Sequence, residues 1–267
     1  MSSLHIPEMS IGLMAFSCAM GVVIPLVLFI WFRRRGADIS PFFVGCAVML
    51  LFAFVLEAGA HALVFGSAAG PALEGNMWLY ALYAGLMAGV FEESGRFAAF
   101  KTVLRKRRGN DRNALMYGAG HGGFEALVVL TAGMSAKLML AAVVNSGQGA
   151  LLVEGLPAVL AAQVEESLVQ LAGAQPAEYL LGVAERLIAV ALHIALSVLV
   201  WFAAKTPGRL RLFPAAIALH AAVDAMAVML PFLAVPPAAI ELVFAAVTAA
   251  IAFLAWRVWK RESTPAA

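Results

Sequence analysis

The sequence predicts an all-α integral membrane protein, and its composition is the first reason. Of the 267 residues, 63% are hydrophobic and only 13% are charged, whereas a soluble domain carries roughly 25% charged residues. The mean hydropathy of +0.91 is too high for one soluble core to bury. This composition excludes a cytosolic enzyme, a nucleic-acid-binding protein and a disordered chain.

Seven apolar stretches are each long enough to cross a bilayer, which takes about 20 helical residues. None alternates with a period of two residues, as the strands of a membrane barrel do, and helices satisfy their own backbone hydrogen bonds in lipid. We therefore predict about seven transmembrane helices in a single membrane domain that spans residues 1–267. The predicted spans are 10–32, 41–65, 77–100, 113–136, 179–203, 212–233 and 236–257.

The basic residues predict the orientation of these helices. Fifteen of the 18 Lys and Arg residues lie on the same side of a seven-span topology. Because basic loops remain in the cytoplasm, we predict an N-terminus outside and a C-terminus inside, in a multi-pass protein of a bacterial cytoplasmic membrane. The basic clusters are Arg33–Arg35, Lys101–Arg112, Lys205–Arg211 and Arg257–Arg261.

The longest predicted connection lies on the opposite, outer side of the membrane. No Lys or Arg occurs between Asn145 and Glu178, which agrees with that placement. Leu and Val recur in this segment at helical spacing, at positions 160, 164, 168 and 171, with Gln and Glu residues between them. We therefore predict a helix on the outer surface within residues 145–178.

The predicted spans contain ionisable residues, each of which costs roughly 2.5–3.5 kcal/mol near the centre of a bilayer. Such residues generally face the interior of a helix bundle and mark a functional site. Those in or near the spans are Glu57, His61, Glu92, Glu93, Arg96, His121, Glu125, Glu185, Arg186, His193, His220, Asp224 and Glu241. We expect the function to depend on members of this set.

Three of these residues are predicted to lie at one depth on three different helices. Glu92, His121 and His220 each stand nine residues from the basic residue that flanks their span, which is roughly 13 Å along a helix. Glu125 and Asp224 stand one helical turn deeper. The sequence therefore predicts one polar site between several helices.

The spacing along each helix groups the same residues into pairs. His121 with Glu125, and His220 with Asp224, stand at i and i+4, so each pair shares a helix face. His193, on the fifth predicted span, falls between the two levels. Each pair can contribute ligands to a site, and the alternative is a buried hydrogen bond with a purely structural role.

Glu92, Glu93 and Arg96 form a cluster of a different kind. Arg96 follows Glu92 by four residues and Glu93 by three, so it can bind one carboxylate and leave the other free. Adjacent residues on a helix point about 100° apart, so at most one of the two glutamates faces directly into a cavity. The alternative is a structural ion pair that locks neighbouring helices.

Two further pairs of ionisable residues are predicted to lie away from the depth shared by Glu92, His121 and His220. Glu57 and His61 stand 22 and 26 residues beyond Arg35, at the outer edge of the membrane, and we expect a structural role for them. Glu185 and Arg186 stand near the outer end of their span. There a local ion pair or an interfacial position is the expected role.

These residue types suit the activation of water. A carboxylate can accept a proton from water, and His and carboxylate side chains on facing helices can hold a zinc ion with one position open. A histidine or a protonated acid can stabilise the oxyanion of a tetrahedral intermediate. No Ser or Cys stands beside a His at a useful spacing, which argues against a nucleophilic serine or cysteine hydrolase.

Four motifs follow one another along the chain: Phe91–Arg96, Gly118–Ala126, Glu185–Arg186 ahead of His193, and His220–Asp224. In this order they resemble the YhfC family of intramembrane metalloproteases. That family is similar to the clan that contains the CAAX prenyl proteases and PrsW. The resemblance covers nearly the whole chain, and four motifs in order are more specific than any one of them.

The resemblance implies roles for the matching positions. Glu92 matches the water-activating glutamate of the clan, and Glu93 and Arg96 match its partners. His220 matches the histidine of the last motif, and Asp224 stands where CAAX proteases usually have an oxyanion-stabilising Asn. Because an ionised Asp cannot donate a hydrogen bond, Asp224 is protonated, binds a metal or orients a neighbour.

The second motif departs from the clan in a similar way. Glu125 stands at the position that CAAX proteases fill with His and PrsW fills with Glu. His121, one turn earlier, is the addition that the resemblance attributes to the YhfC family.

The residues and the resemblance together predict an intramembrane endopeptidase that acts on membrane-embedded or membrane-proximal peptides. The predicted catalytic residues are Glu92, Glu93, Arg96, His121 and His220, and the predicted ligands of a zinc ion are His121, Glu125, His193, His220 and Asp224. A membrane scaffold without activity is one alternative, because a fold does not prove catalysis. A proton- or ion-coupled transporter is another, although the sequence lacks the paired repeats that transporters usually show.

The topology gives the first testable prediction. We expect Arg107→Cys and Lys260→Cys to react with a membrane-impermeant thiol reagent only from the cytoplasmic side, and Gln148→Cys only from outside, because the basic clusters agree on one side. The measurement is labelling of right-side-out and inverted vesicles in a background that lacks Cys18 and Cys46. Labelling of position 148 from the cytoplasmic side alone would contradict both the span assignment and the depth argument.

Overall fold

The computed structural model describes residues 4–263, which form helices joined by short turns and contain no strand. The predicted all-α class is therefore confirmed. The helices are α1 (Glu8–Arg34), α2 (Ser40–Phe65), α3 (Gly70–Glu74), α4 (Met77–Lys101), α5 (Arg112–Asn145), α6 (Ala158–Gly173), α7 (Pro176–Lys205), α8 (Leu212–Phe232) and α9 (Pro237–Glu262).

The helix boundaries follow local sequence signals. Asn76 caps α4, because its Oδ1 accepts hydrogen bonds from the backbone N–H groups of Trp78 at 3.1 Å and Leu79 at 3.2 Å. Pro237 occupies the first position of α9, where proline has no N–H that would need a partner. These signals mark where α4 and α9 start.

Six of the described helices, α1, α2, α5, α7, α8 and α9, are long and apolar enough to cross a membrane. Helix α4 has 25 residues and is also long enough. It is not among the six, and its second half carries Glu92, Glu93 and Arg96. Its place as the seventh span, and the orientation of the termini, remain predictions.

Two helices differ in detail from the predicted spans. Helix α5 continues beyond residue 136 to Asn145 and so passes Lys137, whose ammonium lies 6.0 Å from the centre of the Tyr179 ring. A long lysine side chain can place its charge at the end of an apolar helix without ending that helix. Helices α2 and α5 also contain π-helical segments, Met49–Glu57 and Leu127–Ala132, which the sequence did not predict.

The residue contacts divide the chain into two compact units, and the single domain of the sequence analysis remains a prediction. The first unit comprises the described part of residues 1–24 together with residues 126–184. Within it, Asn145 holds the backbone of Ile6 through two hydrogen bonds, of 2.8 and 2.9 Å. Helix α6, which lies in the predicted surface segment, buries Leu168 in the core of this unit.

The second unit comprises residues 25–125 together with the described part of residues 185–267. Its core contains the three aromatic rings of Phe100, Tyr117 and Trp201. The ring of Phe100 packs edge-on against both partners, with centroid distances of 4.6 Å to Tyr117 and 5.0 Å to Trp201. This unit contains every residue of the predicted site.

Close packing of α4 against α8 positions two of the site-bearing helices. A Cβ atom on Gly85 would lie 2.2 Å from the carbonyl oxygen of Ala221, and one on Gly89 would lie 2.7 Å from that of Ile217. Glycines spaced by four residues allow two membrane helices to approach through their backbones. Substitution of either glycine must therefore separate α4 from α8.

We predict that Gly85→Ala destabilises the protein by about 1–3 kcal/mol, because the added methyl group overpacks a backbone contact that cannot shift locally. The measurement is unfolding of the purified protein in detergent, by heat or by denaturant. Gly59→Ala is the matched control, since a Cβ atom on this helical glycine meets nothing within 4 Å. Equal loss of stability in both variants would show that the α4–α8 contact has no special importance.

Candidate functional site

Four helices of the second unit contribute polar side chains to one buried cluster. Helix α4 provides Glu92, Glu93 and Arg96, and the other members are His121 and Glu125 on α5, His193 on α7, and His220 and Asp224 on α8. Among these, Glu93, Arg96 and His121 are fully buried. Ionisable side chains that are removed from water in this way need partners within the protein.

The carboxylate of Glu92 lies at the centre of this cluster. Its Oε2 is 2.9 Å from Nε2 of His121, 3.8 Å from Nδ1 of His193 and 4.0 Å from Nε2 of His220. The predicted convergence of Glu92, His121 and His220 is thus present in the structure. His193, which the sequence placed between the two levels, contacts the same oxygen.

The second glutamate of α4 has a different environment. Oε1 of Glu93 accepts a hydrogen bond from Nη1 of Arg96 and a second, of 2.8 Å, from Nδ1 of His220. Arg96 therefore binds Glu93 and leaves the carboxylate of Glu92 to the histidines. The spacing of the three residues along α4 predicted that Arg96 binds one of the two carboxylates and leaves the other free.

Arg96 also determines the tautomer of His193. Its Nη2 lies 3.1 Å from Nδ1 of His193, and because a guanidinium can only donate, Nδ1 must be the acceptor. Nε2 of His193 then carries the proton and donates to Oε2 of Glu125 at 2.9 Å. Glu125 thus orients a histidine in this arrangement.

A second arginine completes the network around Glu125. Nη1 of Arg186 donates to Oε1 of Glu125 at 2.5 Å, and its Nη2 donates to Glu185. The sequence predicted a local pair of Glu185 and Arg186, and the structure adds a contact with the site through Glu125. Asp224 lies beside His220, with Oδ2 3.4 Å from Nε2 of the imidazole.

Glu92, His121 and His193 could hold a metal ion. Each offers one ligand atom, and these atoms lie within 4.8 Å of one another. Two histidines and one glutamate form a ligand set that zinc enzymes use. Nδ1 of His121 is buried and has no hydrogen-bond partner among the described residues, which also fits a site built for a further ligand.

The other predicted ligands lie outside this group of three. Glu125 is occupied by His193 and Arg186, and Asp224 contacts His220. Both nitrogens of His193 already carry hydrogen bonds, so a metal on this residue replaces the contact with either Arg96 or Glu125.

Two features near the site were not predicted. The ring of Tyr117 stacks on His121, with centroids 5.8 Å apart and an interplanar angle of 22°. Its position four residues before His121 was the available signal. The second feature is the burial of Glu57, whose carboxylate is 3.2 Å from Nε2 of His61.

A cavity of about 100 Å³ adjoins the cluster. Glu92, His193, His220 and Asp224 contribute to its lining, together with apolar side chains of α7, α8 and α9. The cavity therefore brings space for water or for part of a substrate next to the candidate reactive groups.

Comparison with known proteins identifies the family of the chain. The chain matches the family described as YhfC intramembrane metalloprotease over residues 20–244. It is 33% identical over 228 residues to the "Uncharacterized membrane protein YhfC" of Bacillus subtilis (strain 168), an alignment that covers 84% of this chain and 86% of that protein. No solved structure matches the chain. The predicted family is confirmed, and this integral multi-pass membrane protein belongs to the YhfC intramembrane metalloprotease family.

Proposed function

We propose that the chain is an intramembrane endopeptidase of the bacterial cytoplasmic membrane that hydrolyses peptide bonds of membrane-embedded or membrane-proximal segments. The observation that supports this most directly is the convergence of three histidine nitrogens on Oε2 of Glu92, within 4.0 Å. A carboxylate surrounded by imidazoles beside a cavity is suited to activate water. Family membership supports the same reaction class.

Glu92, His121 and His193 would hold the metal, and zinc is the ion that this set of ligands favours. When bound, the ion supplies a Lewis acid that makes water more acidic and polarises a carbonyl group. The metal would replace one of the two partners of His193, Arg96 or Glu125, and the other would orient the ring; such a contact at the second nitrogen is a common requirement of metal sites.

Glu92 takes the proton of the attacking water at Oε1, the carboxylate oxygen that makes no hydrogen bond among the described residues. The water oxygen bonds to the carbonyl carbon, the C–N bond then breaks, and the proton passes to the amine nitrogen of the leaving segment. General-base catalysis of this kind contributes about 10²–10⁴-fold.

His220 stabilises the negative charge that develops on the carbonyl oxygen. Its Nδ1 donates to Glu93, which Arg96 fixes in turn, so the ring has one orientation. Its Nε2 is then directed toward Asp224 and Glu92, and the residue lines the cavity. In this role the ring is an imidazolium, since Nδ1 and Nε2 must both carry a proton, and the carboxyl groups of Glu93, Asp224 and Glu92 surround it. Preorganised donors at this position typically account for about 10²–10³-fold in turnover. Asp224 orients the imidazole.

We predict that Glu92→Gln lowers turnover by at least about 10²-fold, because it keeps the size of the side chain and removes both the base and one proposed ligand of the metal. The measurement is a proteomic comparison of membranes that express the wild type or the variant, followed by cleavage of any accumulated protein by the purified enzyme. Glu74→Gln is the matched control, since Glu74 is an exposed glutamate on the short helix α3.

His220→Ala should reduce turnover to a similar degree while the protein still accumulates in the membrane. If Glu92→Gln and His220→Ala both fold and leave the membrane proteome identical to that of the wild type, the endopeptidase proposal fails. A scaffold role for the same fold then takes its place.

A further inference from the structure

The second unit has an apolar groove that shares no residue with the cavity at the candidate active site. The groove has a volume of about 430 Å³, and every residue that lines it is apolar. Its lining comes from α1, α5, α7 and α9. On α7, Leu192 and His193 line the cavity, whereas Ile194 and Ala195 line the groove. The groove is therefore a separate feature of the bundle.

The groove follows the basic ends of the helices. Its lining extends from Ala252 to Trp259 on α9 and from Ala191 to Val198 on α7, which is roughly 10 Å along each helix. Trp259 directly precedes Lys260, a member of the last basic cluster. One end of the groove therefore lies where the apolar helices meet the basic clusters, on the side that we predict to be cytoplasmic.

Three of the five tryptophans of the protein line this groove, namely Trp31 on α1 and Trp256 and Trp259 on α9. Tryptophan is enriched at the boundary between membrane and water, where its ring lies at the level of the lipid headgroups. The groove thus extends from the apolar part of the bundle to headgroup depth.

Two cations lie over rings that line the groove. The guanidinium carbon of Arg35 is 4.2 Å from the centre of the Trp31 ring, and the ammonium of Lys260 is 5.8 Å from that of Trp256. Within residues 4–263, neither cation forms an ion pair with a carboxylate. Both charges are therefore available to an anion that does not belong to this chain.

An apolar groove with unpaired cations at one end suits an anionic phospholipid. The acyl chain can lie along the apolar lining, and the phosphate can accept hydrogen bonds from guanidinium and ammonium groups. Basic pockets between transmembrane helices on the cytoplasmic side are a known way of binding anionic headgroups.

The charges favour a lipid over a transmembrane helix as the occupant. Transmembrane helices carry an excess of Lys and Arg at their cytoplasmic ends. A second copy of this chain would bring Arg33–Arg35 and Arg257–Arg261 to the same depth, because copies in one membrane share one orientation. Either helix would place like charges against Arg35 and Lys260, whereas an anionic lipid brings the opposite charge.

We propose that the groove between α1 and α9 binds an anionic phospholipid, with an acyl chain along α7 and the phosphate at Arg35 and Lys260. The apolar lining determines where the lipid lies, and the two cations determine which lipid binds. This site does not depend on the proposed endopeptidase function and uses none of its residues.

The test measures quenching of tryptophan fluorescence by phospholipids with brominated acyl chains. The full-length Trp78→Phe protein is placed in phosphatidylcholine vesicles that contain brominated phosphatidylglycerol or brominated phosphatidylcholine at the same small mole fraction. Trp78 is an exposed indole outside the groove, and Trp201, which remains, is fully buried. The signal from bound lipid therefore comes from the three indoles of the groove. We expect phosphatidylglycerol to bind at least about fivefold more tightly than phosphatidylcholine, because each interfacial cation attracts an anionic lipid by roughly that factor.

Variants of the cations test which charges hold the headgroup. Arg35→Gln combined with Lys260→Gln should lower the affinity for phosphatidylglycerol to that for phosphatidylcholine. Arg34→Gln combined with Arg261→Gln is the matched control and should keep the preference. It removes the same net charge at exposed positions of the same two basic clusters, outside the groove lining.

A variant of the lining tests the groove itself. Ala252→Phe places a ring in the groove and should also abolish the preference for phosphatidylglycerol. Ala249→Phe is its control, because Ala249 is an exposed alanine of α9 that does not line the groove.

The outcomes separate this site from the alternatives. Equal quenching by the two lipids in the Trp78→Phe protein overturns the proposal. An equal loss of preference in the two double variants also overturns it, since the attraction then belongs to the basic surface as a whole. A preference that survives Ala252→Phe places the lipid elsewhere. Weak, equal quenching together with disulfide-linked dimers of Ala252→Cys assigns the groove to a second copy of the chain.

Discussion

The buried guanidinium of Arg96 is the constraint on which the rest of the site depends. It is fully buried on a helix in an apolar bundle, and it is held by Glu93 on its own helix and His193 on α7. Loss of one partner of a buried ion pair costs about 3–5 kcal/mol, because the other charge remains without compensation. This constraint fixes α4 relative to α7 within the second unit and leaves Glu92 directed toward the histidines.

The guanidinium of Arg96 also determines the tautomer of His193 and the orientation of His220. By donating to Nδ1 of His193 it directs the proton of that ring toward Glu125, and by holding Glu93 it orients Nδ1 of His220. The close backbone contact at Gly85 allows Glu93 on α4 to reach His220 on α8. Helix packing and electrostatics therefore support one arrangement, in which Glu92 faces the cavity.

Much of this arrangement followed from simple counting along the sequence. Glu92, His121 and His220 converge because each stands nine residues from a basic flank, and a helix rises by a constant 1.5 Å per residue. The all-α class followed from composition in the same way. The first argument uses the rise per residue of a helix, and the second uses the hydropathy of each apolar stretch. Both are properties of a single helix, so they can be calculated directly from the sequence.

What the sequence did not predict depends on how helices face one another. The bond between Arg96 and His193 and the bond between Arg186 and Glu125 join residues far apart in the chain, and no spacing rule relates them. The π-helical segment Met49–Glu57 changes the register of α2 ahead of Glu57.

The measurement that tests the central claim most directly is the metal content of the purified protein after loading with zinc and removal of excess ion. The claim predicts about one bound zinc ion per chain in the wild type and in Glu74→Gln, and loss of that ion in Glu92→Gln and in His121→Ala, because each removes one of three ligands. Zinc retained at the same stoichiometry by His121→Ala, or absent from the wild type, would contradict it.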